Sequence, residues 1–299
     1  MDRVTSNSLA SSILGANQQT LSRLATYQLQ LATNKKLNQI SDDPVAAKQS
    51  LRFRAEGMQV QKYLDNIDKS TSFMSATDQS LSEMTNLMDE AKSLAVQGAN
   101  GTQDAASRKI IASGVDSLLS RLVDLANTVH DGRFLFGGTT TVQPQPPFTR
   151  NAADNGVDYG GNLDSFNVKV GPNSEVQVNT DGYSLFKGTQ DVFHTLYQLR
   201  DALNQNDPTT VNDLISEVDG AHDQMNAIQG GMGGRLQRLD LARSQLESTQ
   251  VHLGELVSSA EDVDLTDVIT KMKLAQTALE AGLQSGAKVM QTTLLDYLR

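Results

Sequence analysis

The chain reads as a mainly α protein with an inserted β domain. Its two flanks would form a long antiparallel helical bundle or coiled coil, around a small β-rich centre. Three observations predict this. The six prolines stand at 44, 144, 146, 147, 172 and 208, which leaves 45–143 and 209–299 free of proline. A proline inside a helix costs ~3 kcal/mol, so long helices can run in those two stretches. Four of the six prolines and nine of the 22 glycines fall between 132 and 188, so the middle is built differently. A seven-residue apolar rhythm fills the flanks, whereas period-two alternation fills the centre.

The elements follow in order. Near the N-terminus, Leu14, Leu21 and Gln28 share one seam position, and Asn17, Leu24 and Leu31 the other. Ser41-Asp42-Asp43-Pro44 reads as a helix start. Asp43 can cap free N–H groups, and Pro44 sits where its missing N–H costs nothing. Phe73, Met74, Leu81, Met84, Met88 and Leu94 mark a looser helix, and Gly98–Thr102 a connector. Ile111, Val115, Leu118, Leu122, Leu125 and Val129 alternate steps of four and three without a miss.

In the centre, Phe166, Val168 and Val170 point one way, with Asn167 and Lys169 the other. Gly171-Pro172-Asn173-Ser174 is turn chemistry, and Val176 and Val178 resume the alternation, which predicts a hairpin. The second flank carries Leu239, Ala242, Leu246, Thr249, Leu253 and Leu256. It ends on Met272, Gln276, Leu279, Leu283, Gly286, Met290 and Leu294 (or Thr293). The cluster Gly230, Gly231, Gly233, Gly234 predicts a break or weak point, at roughly 1 kcal/mol of helix propensity per glycine.

This organisation suggests terminal coiled-coil assembly segments at 1–40 and 265–299. A helical bundle domain follows at 41–135 and 190–264, with an inserted β-rich outer domain at 136–189. The terminal stripes are narrow, and each is too weak to stay folded alone in water. Each requires a partner helix, from the other end of the chain or from another subunit. The residues expected at that assembly interface are Leu14, Leu21, Leu24, Leu31, Met272, Leu279, Leu283, Met290 and Leu294.

Composition narrows the function. The 299 residues carry 25 Lys+Arg against 35 Asp+Glu, a net charge of −10. That balance argues against a general nucleic-acid binder, whose phosphate contacts need clustered cations. Zero cysteine excludes disulfide scaffolds, zinc ribbons, Fe–S clusters and thiol nucleophiles. No apolar run approaches the ~18 residues of a membrane span. The opening MDRVTSNSLASSILGAN does not resemble a cleaved secretory signal. Gln, Asn, Ser and Thr make up 93 residues, and aromatics only 5%.

Catalytic chemistry is hard to place. His130, His194, His222 and His252 are far apart in sequence. Asp154, Asp158 and Asp164 lack the alternation and closing Glu of an EF-hand loop, and read as a solvated loop. Lys35-Lys36 with Arg52 and Arg54 reads as a solvated basic helix face. We expect no enzyme, no cofactor and no metal. A coiled-coil regulatory binding protein is the alternative from another class.

Two segments nevertheless form a recognisable pattern. Leu31-Ala-Thr-Asn-Lys-Lys-Leu37 followed by Ser41-Asp-Asp-Pro-Val-Ala-Ala47 resembles the N-terminal signature of the flagellin-like family. Leu125-Ala-Asn-Thr128 leading to Gly132-Arg-Phe-Leu-Phe-Gly-Gly138 is similar to the family's helix-to-β junction. Gln276-Thr-Ala-Leu-Glu-Ala-Gly-Leu283, Val289 and Leu294-Leu-Asp-Tyr-Leu298 resemble its terminus. Asp42-Asp43-Pro44 and the Asp296-Tyr297-Leu298 ending look like the hook-associated branch rather than flagellin itself, the nearest alternative. The likeness covers about 1–138 and 205–299.

It implies a structural adaptor at the hook–filament junction of the bacterial flagellum, made in the cytoplasm. Export would proceed through the flagellar type III apparatus, without a cleaved signal, to an extracellular place. It implies a ring of copies of itself, a FlgK-type hook-associated partner on the hook side, and flagellin on the filament side. It also implies a FlgN-type export chaperone, and no nucleic acid or membrane. The family pattern has one glycine before Arg235-Leu236-Gln237-Arg238-Leu239, so we expect a continuous helix with a soft spot at 230–234.

Overall fold

The computed structural model describes residues 6–142, 144–151 and 156–297. Helices dominate these residues: α1 (Ser6–Thr33), α2 (Pro44–Ala99) and α3 (Ala105–Ala126) come first. Short strands follow: β1 (Val129–His130), β2 (Arg133–Phe134), β3 (Phe148–Asn151), β4 (Gly156–Tyr159), β5 (Asn167–Gly171) and β6 (Ser174–Gln177). The chain closes with α4 (Gly182–Lys187), α5 (Val192–Asn204), α6 (Pro208–Glu261) and α7 (Leu265–Tyr297). This is the mainly α architecture with an inserted β region that proline placement and periodicity predict.

Contacts gather the chain into two compact units. A terminal unit holds Met1–Gln59 with Thr249–Arg299, and a central unit holds Val60–Ser248.

Aspartates start the helices. Asp43 Oδ1 accepts the Val45 and Ala46 N–H groups at 3.0 Å each, the predicted cap of α2. Asp104, Asp181 and Asp191 do the same for Ser107, Ser184 and His194, at 2.7, 2.7 and 2.9 Å. Each bond satisfies a donor that the first helical turn leaves free. The Ser107 N–H bond holds the Asp104 carboxyl below its usual range.

In the central unit, Met74, Leu81, Met84 and Met88 of α2 are fully buried, and Phe73 and Leu94 half-buried. On α3, Ile111, Val115, Leu118 and Leu122 are buried as the rhythm predicts. The rhythm stops short of Val129, because α3 ends at the Asn127 cap and Val129 is an exposed strand residue. α2 and α6 run antiparallel, tied by Lys92–Asp219 at 2.6 Å, Gln229–Asp78 at 3.1 Å and Arg243–Asp68.

The strands form three separate antiparallel pairs, β1–β2, β3–β4 and β5–β6. The predicted hairpin is β5–β6, with Val168 opposite Val176 and the turn at Pro172-Asn173. Phe166 departs from the prediction. It lies before β5, its N–H bonds to Asn179 Oδ1, and the residue is 46% exposed. The core of this region is aromatic. Phe148 meets Phe186 edge-on at 4.9 Å, and Phe186 stacks on Phe193 of α5 at 4.8 Å. Phe136 completes the cluster against Phe186. Half of the eight phenylalanines therefore sit at one place. The adjacent Tyr159 hydroxyl donates to the Phe136 carbonyl at 3.0 Å, and burial pushes its pKa up to about 12.

Candidate assembly interface

The terminal unit pairs α1 with α7. A Cβ on Gly286 would meet Ile13, and one on Gly282 would run into the Asn17 side chain, so the helices are antiparallel and close. Each helix end thus finds its partner in the other end of the same chain. Along α1 the half-buried positions include Ile13, Asn17, Thr20, Leu24, Tyr27 and Leu31. Along α7, Val268 and Ala275 are buried, and Met272, Leu279, Gly282 and Gly286 half-buried. Both series keep steps of four and three, as an intramolecular coiled-coil seam requires.

Leu24, Leu31, Met272 and Leu279 occupy that seam. Leu14, Leu21 and Leu283 do not: they are 59%, 51% and 58% exposed. Gln28 and Gln276, read as seam positions, are exposed too. The correction is a rotation. Leu14, Leu21 and Gln28 each follow a seam residue of α1 by one place, and Ile269, Gln276 and Leu283 do so on α7. One residue turns a helix by about 100°. Leucine is more apolar than Thr20 or a glycine, so residue type pulled the sequence reading one step round. The outcome is a second apolar stripe of Leu14, Leu21, Ile269 and Leu283, exposed beside the closed seam. The side chains of Met290 and Leu294 lie outside the described residues.

A polar joint ties the ends of these helices together. Asn34, after α1, has a positive φ of 56°. Its carbonyl accepts the Val263 N–H at 3.2 Å, and the Lys36 N–H donates to the Glu261 carbonyl at 2.7 Å. The Glu261 carboxylate is buried, with Lys35 Nζ at 2.6 Å. Arg54 of α2 donates to it from Nε at 2.8 Å and from Nη2 at 2.5 Å, and Ser50 Oγ donates as well. Burial by itself would raise this carboxyl, but the bonds from Arg54, Lys35 and Ser50 outweigh it and hold the pKa at about 2. Lys36 Nζ bonds to the Ser259 carbonyl at 2.8 Å.

The basic patch is solvated, as expected, but it also pairs with the end of α6. Three of its four cations reach the end of α6, although Lys36 and Arg54 stay exposed and Lys35 half-exposed, and the fourth, Arg52, pairs with Glu56. Glu261 itself was missed. It stands 207 residues from Arg54 and 226 from Lys35, and no local spacing links them. Asp42 and Asp43 shape the intervening turn: Asp42 Oδ2 accepts the Asn38 and Gln39 N–H groups at 3.0 and 2.8 Å.

The remaining candidates are not brought together. His130 contacts Ser72, His222 faces Asp89 at 3.3 Å and His252 faces Glu255 at 3.6 Å. The His194 N–H is held by the Asp191 cap. Asp158 accepts from Asn151 and Asp164 from Asn162, while Asp154 lies outside the described residues. Among the described residues, no group of three or more His, Cys, Asp or Glu could hold a metal ion.

Comparison with known proteins gives this arrangement a family. The bacterial flagellin N-terminal helical region matches residues 4–141, and the bacterial flagellin C-terminal helical region matches 215–298. The flagellar hook-associated protein 3 of Escherichia coli K12 is 25% identical over 281 residues, covering 85% of this chain and 86% of that protein. A flagellin of Listeria innocua is 21% identical over 257 residues, covering 84% of each. The crystal structure of Xanthomonas campestris FlgL has a TM-score of 0.62 at 19% identity, covering 69% of this chain and 99% of that one, and shares the fold. The chain belongs to the flagellin-like family, in its hook-associated protein 3 (FlgL) branch.

Proposed function

We propose that this chain is a structural adaptor of the bacterial flagellum at the hook–filament junction, assembling with copies of itself through its terminal helices. The second apolar stripe carries the proposal. It leaves Leu14, Leu21, Ile269 and Leu283 uncovered on the two helices that the family matches at its ends. About half of each side chain is still open, so covering it would contribute roughly 1 kcal/mol, and four such residues per subunit make a worthwhile interface. Its neighbours would be a FlgK-type protein on the hook side and flagellin on the filament side. A FlgN-type chaperone would hold it in the cytoplasm, and the type III apparatus would export it without a cleaved signal to the cell exterior.

The flagellin reading is separated by position along the fibre. Immuno-electron microscopy of detached flagella should label a short band at the hook end; label along the filament would overturn the junction assignment. Substitution tests the interface. Leu21→Asp with Leu283→Asp should abolish incorporation and shift monomer stability by less than ~0.5 kcal/mol, because both sites are exposed. Leu279→Asp should also abolish incorporation but cost the monomer roughly 1–2 kcal/mol, because Leu279 lies in the seam. Normal incorporation of the double variant would refute the stripe as an interface.

A further inference from the structure

The glycine cluster of α6 has no steric reason within this chain. A Cβ at Gly230, Gly231, Gly233 or Gly234 would meet nothing within 4 Å. None of the four has a positive φ. Neither backbone conformation nor close packing in the chain therefore asks for glycine there.

What surrounds the cluster is more specific. On one side, Gln229 Nε2 donates to Asp78 Oδ1 at 3.1 Å and to Ser82 Oγ at 2.8 Å. On the other, Arg235 Nη1 donates to the Asn179 carbonyl at 3.0 Å. Between these two anchors, Met232 supplies the only side chain, and it is fully buried. Each glycine weights the local helix–coil balance against helix by roughly fivefold relative to alanine. Four in five residues compound to several hundredfold. The exposed carbonyls and N–H groups can take water as soon as the turn loosens.

We infer that residues 230–234 are a built-in opening point of α6. The turn unwinds locally while Gln229 and Arg235 hold the helix on either side, and one methionine gates the event. Gly220 and Gly254 provide the internal control. They are equally open but isolated, so flanking side chains keep their turns closed.

Hydrogen exchange read by mass spectrometry on the full chain tests this. The amides of 231–237 should exchange at least about tenfold faster than those of 215–225 in the same helix. Replacing all four glycines (G230A/G231A/G233A/G234A) should slow that exchange by about 100-fold and raise the melting temperature. G220A/G254A should leave exchange at 231–237 unchanged. Wild-type exchange at 231–237 as slow as at 215–225 would overturn the inference. So would a four-alanine variant that melts below wild type, since glycine would then be needed for packing. If that variant does not fold, G233A/G234A gives the same readout at a smaller size.

Discussion

The terminal and central units bury their apolar residues to very different degrees. The central unit hides most of its large side chains, with Phe136, Phe148, Phe186, Phe193, Met74, Leu81 and Leu119 fully buried, although Phe166, Tyr183, Ile110 and Leu241 stay exposed. In the terminal unit the buried apolar residues among those described are smaller or fewer, namely Leu253, Val268 and Ala275, while Leu14, Leu21, Ile40, Leu51, Leu274 and Leu283 stay exposed. The central unit is stabilised by its own core. The terminal unit holds one thin seam and a polar joint, and keeps apolar surface uncovered. On the proposed assembly, this difference divides residues that fold the chain from residues left to meet a neighbouring subunit.

Three measurements can break or sharpen that contrast. The largest effect should appear in hydrogen exchange of the dilute monomer. Amides at Leu21 and Leu283 should exchange roughly a thousandfold faster than those at Leu119 and Leu196, because a thin seam opens more easily than an aromatic core. Equal protection in the two units would remove the contrast altogether.

Next comes Phe186→Ala. Its ring packs against Phe136, Phe148 and Phe193, so urea unfolding of the central unit should lose about 3–5 kcal/mol. A loss below 1 kcal/mol would mean that the aromatic cluster is not the centre of that core.

The smallest effect belongs to the joint. Glu261→Gln leaves Lys35 and Arg54 without their shared carboxylate and should cost roughly 1–2 kcal/mol, since both cations are partly open to water. The acid dependence has a definite sign. The folded carboxyl titrates near 2, below its ordinary 4.5. Its stabilisation is therefore complete above about pH 4.5 and drains away as the pH falls toward 2. The helical signal of the wild-type terminal unit should decline across that window more steeply than that of E261Q. Parallel acid curves would show that other carboxylates govern the transition.

Local signals made most of the fold legible. Proline spacing marked where α2 and α6 could run, and the Asp43-Pro44 pair marked where α2 begins. Val168, Val176 and the turn between them gave the hairpin. The joint was not legible, because its partners come from opposite ends of the chain and share no local spacing. The aromatic cluster escaped for the same reason: Phe136, Phe148, Phe186 and Phe193 sit in four different segments, none with a strong period. The seam was half legible. Its rhythm was visible in Leu24, Leu31, Met272 and Leu279, but its rotation depends on small residues, Gly282 and Gly286, that admit close approach and carry no hydrophobic signal. Continuity of α6 through its glycines came from the family pattern, since propensity alone argued for a break.

The pairing of the first helix with the last also sets an order of events. Lys35 and Glu261 are 226 residues apart, and α1 meets α7 across an even longer stretch of chain. Contacts of such separation must close a very large loop before any of them is rewarded. The central unit shortens that search once it has formed, because the paired α2 and α6 already return the chain on itself. The two chain ends should therefore zip together last, in a slow phase that begins only when residues beyond Leu265 are present. A truncated chain ending near Ser248 would keep the fast phase and lose the slow one.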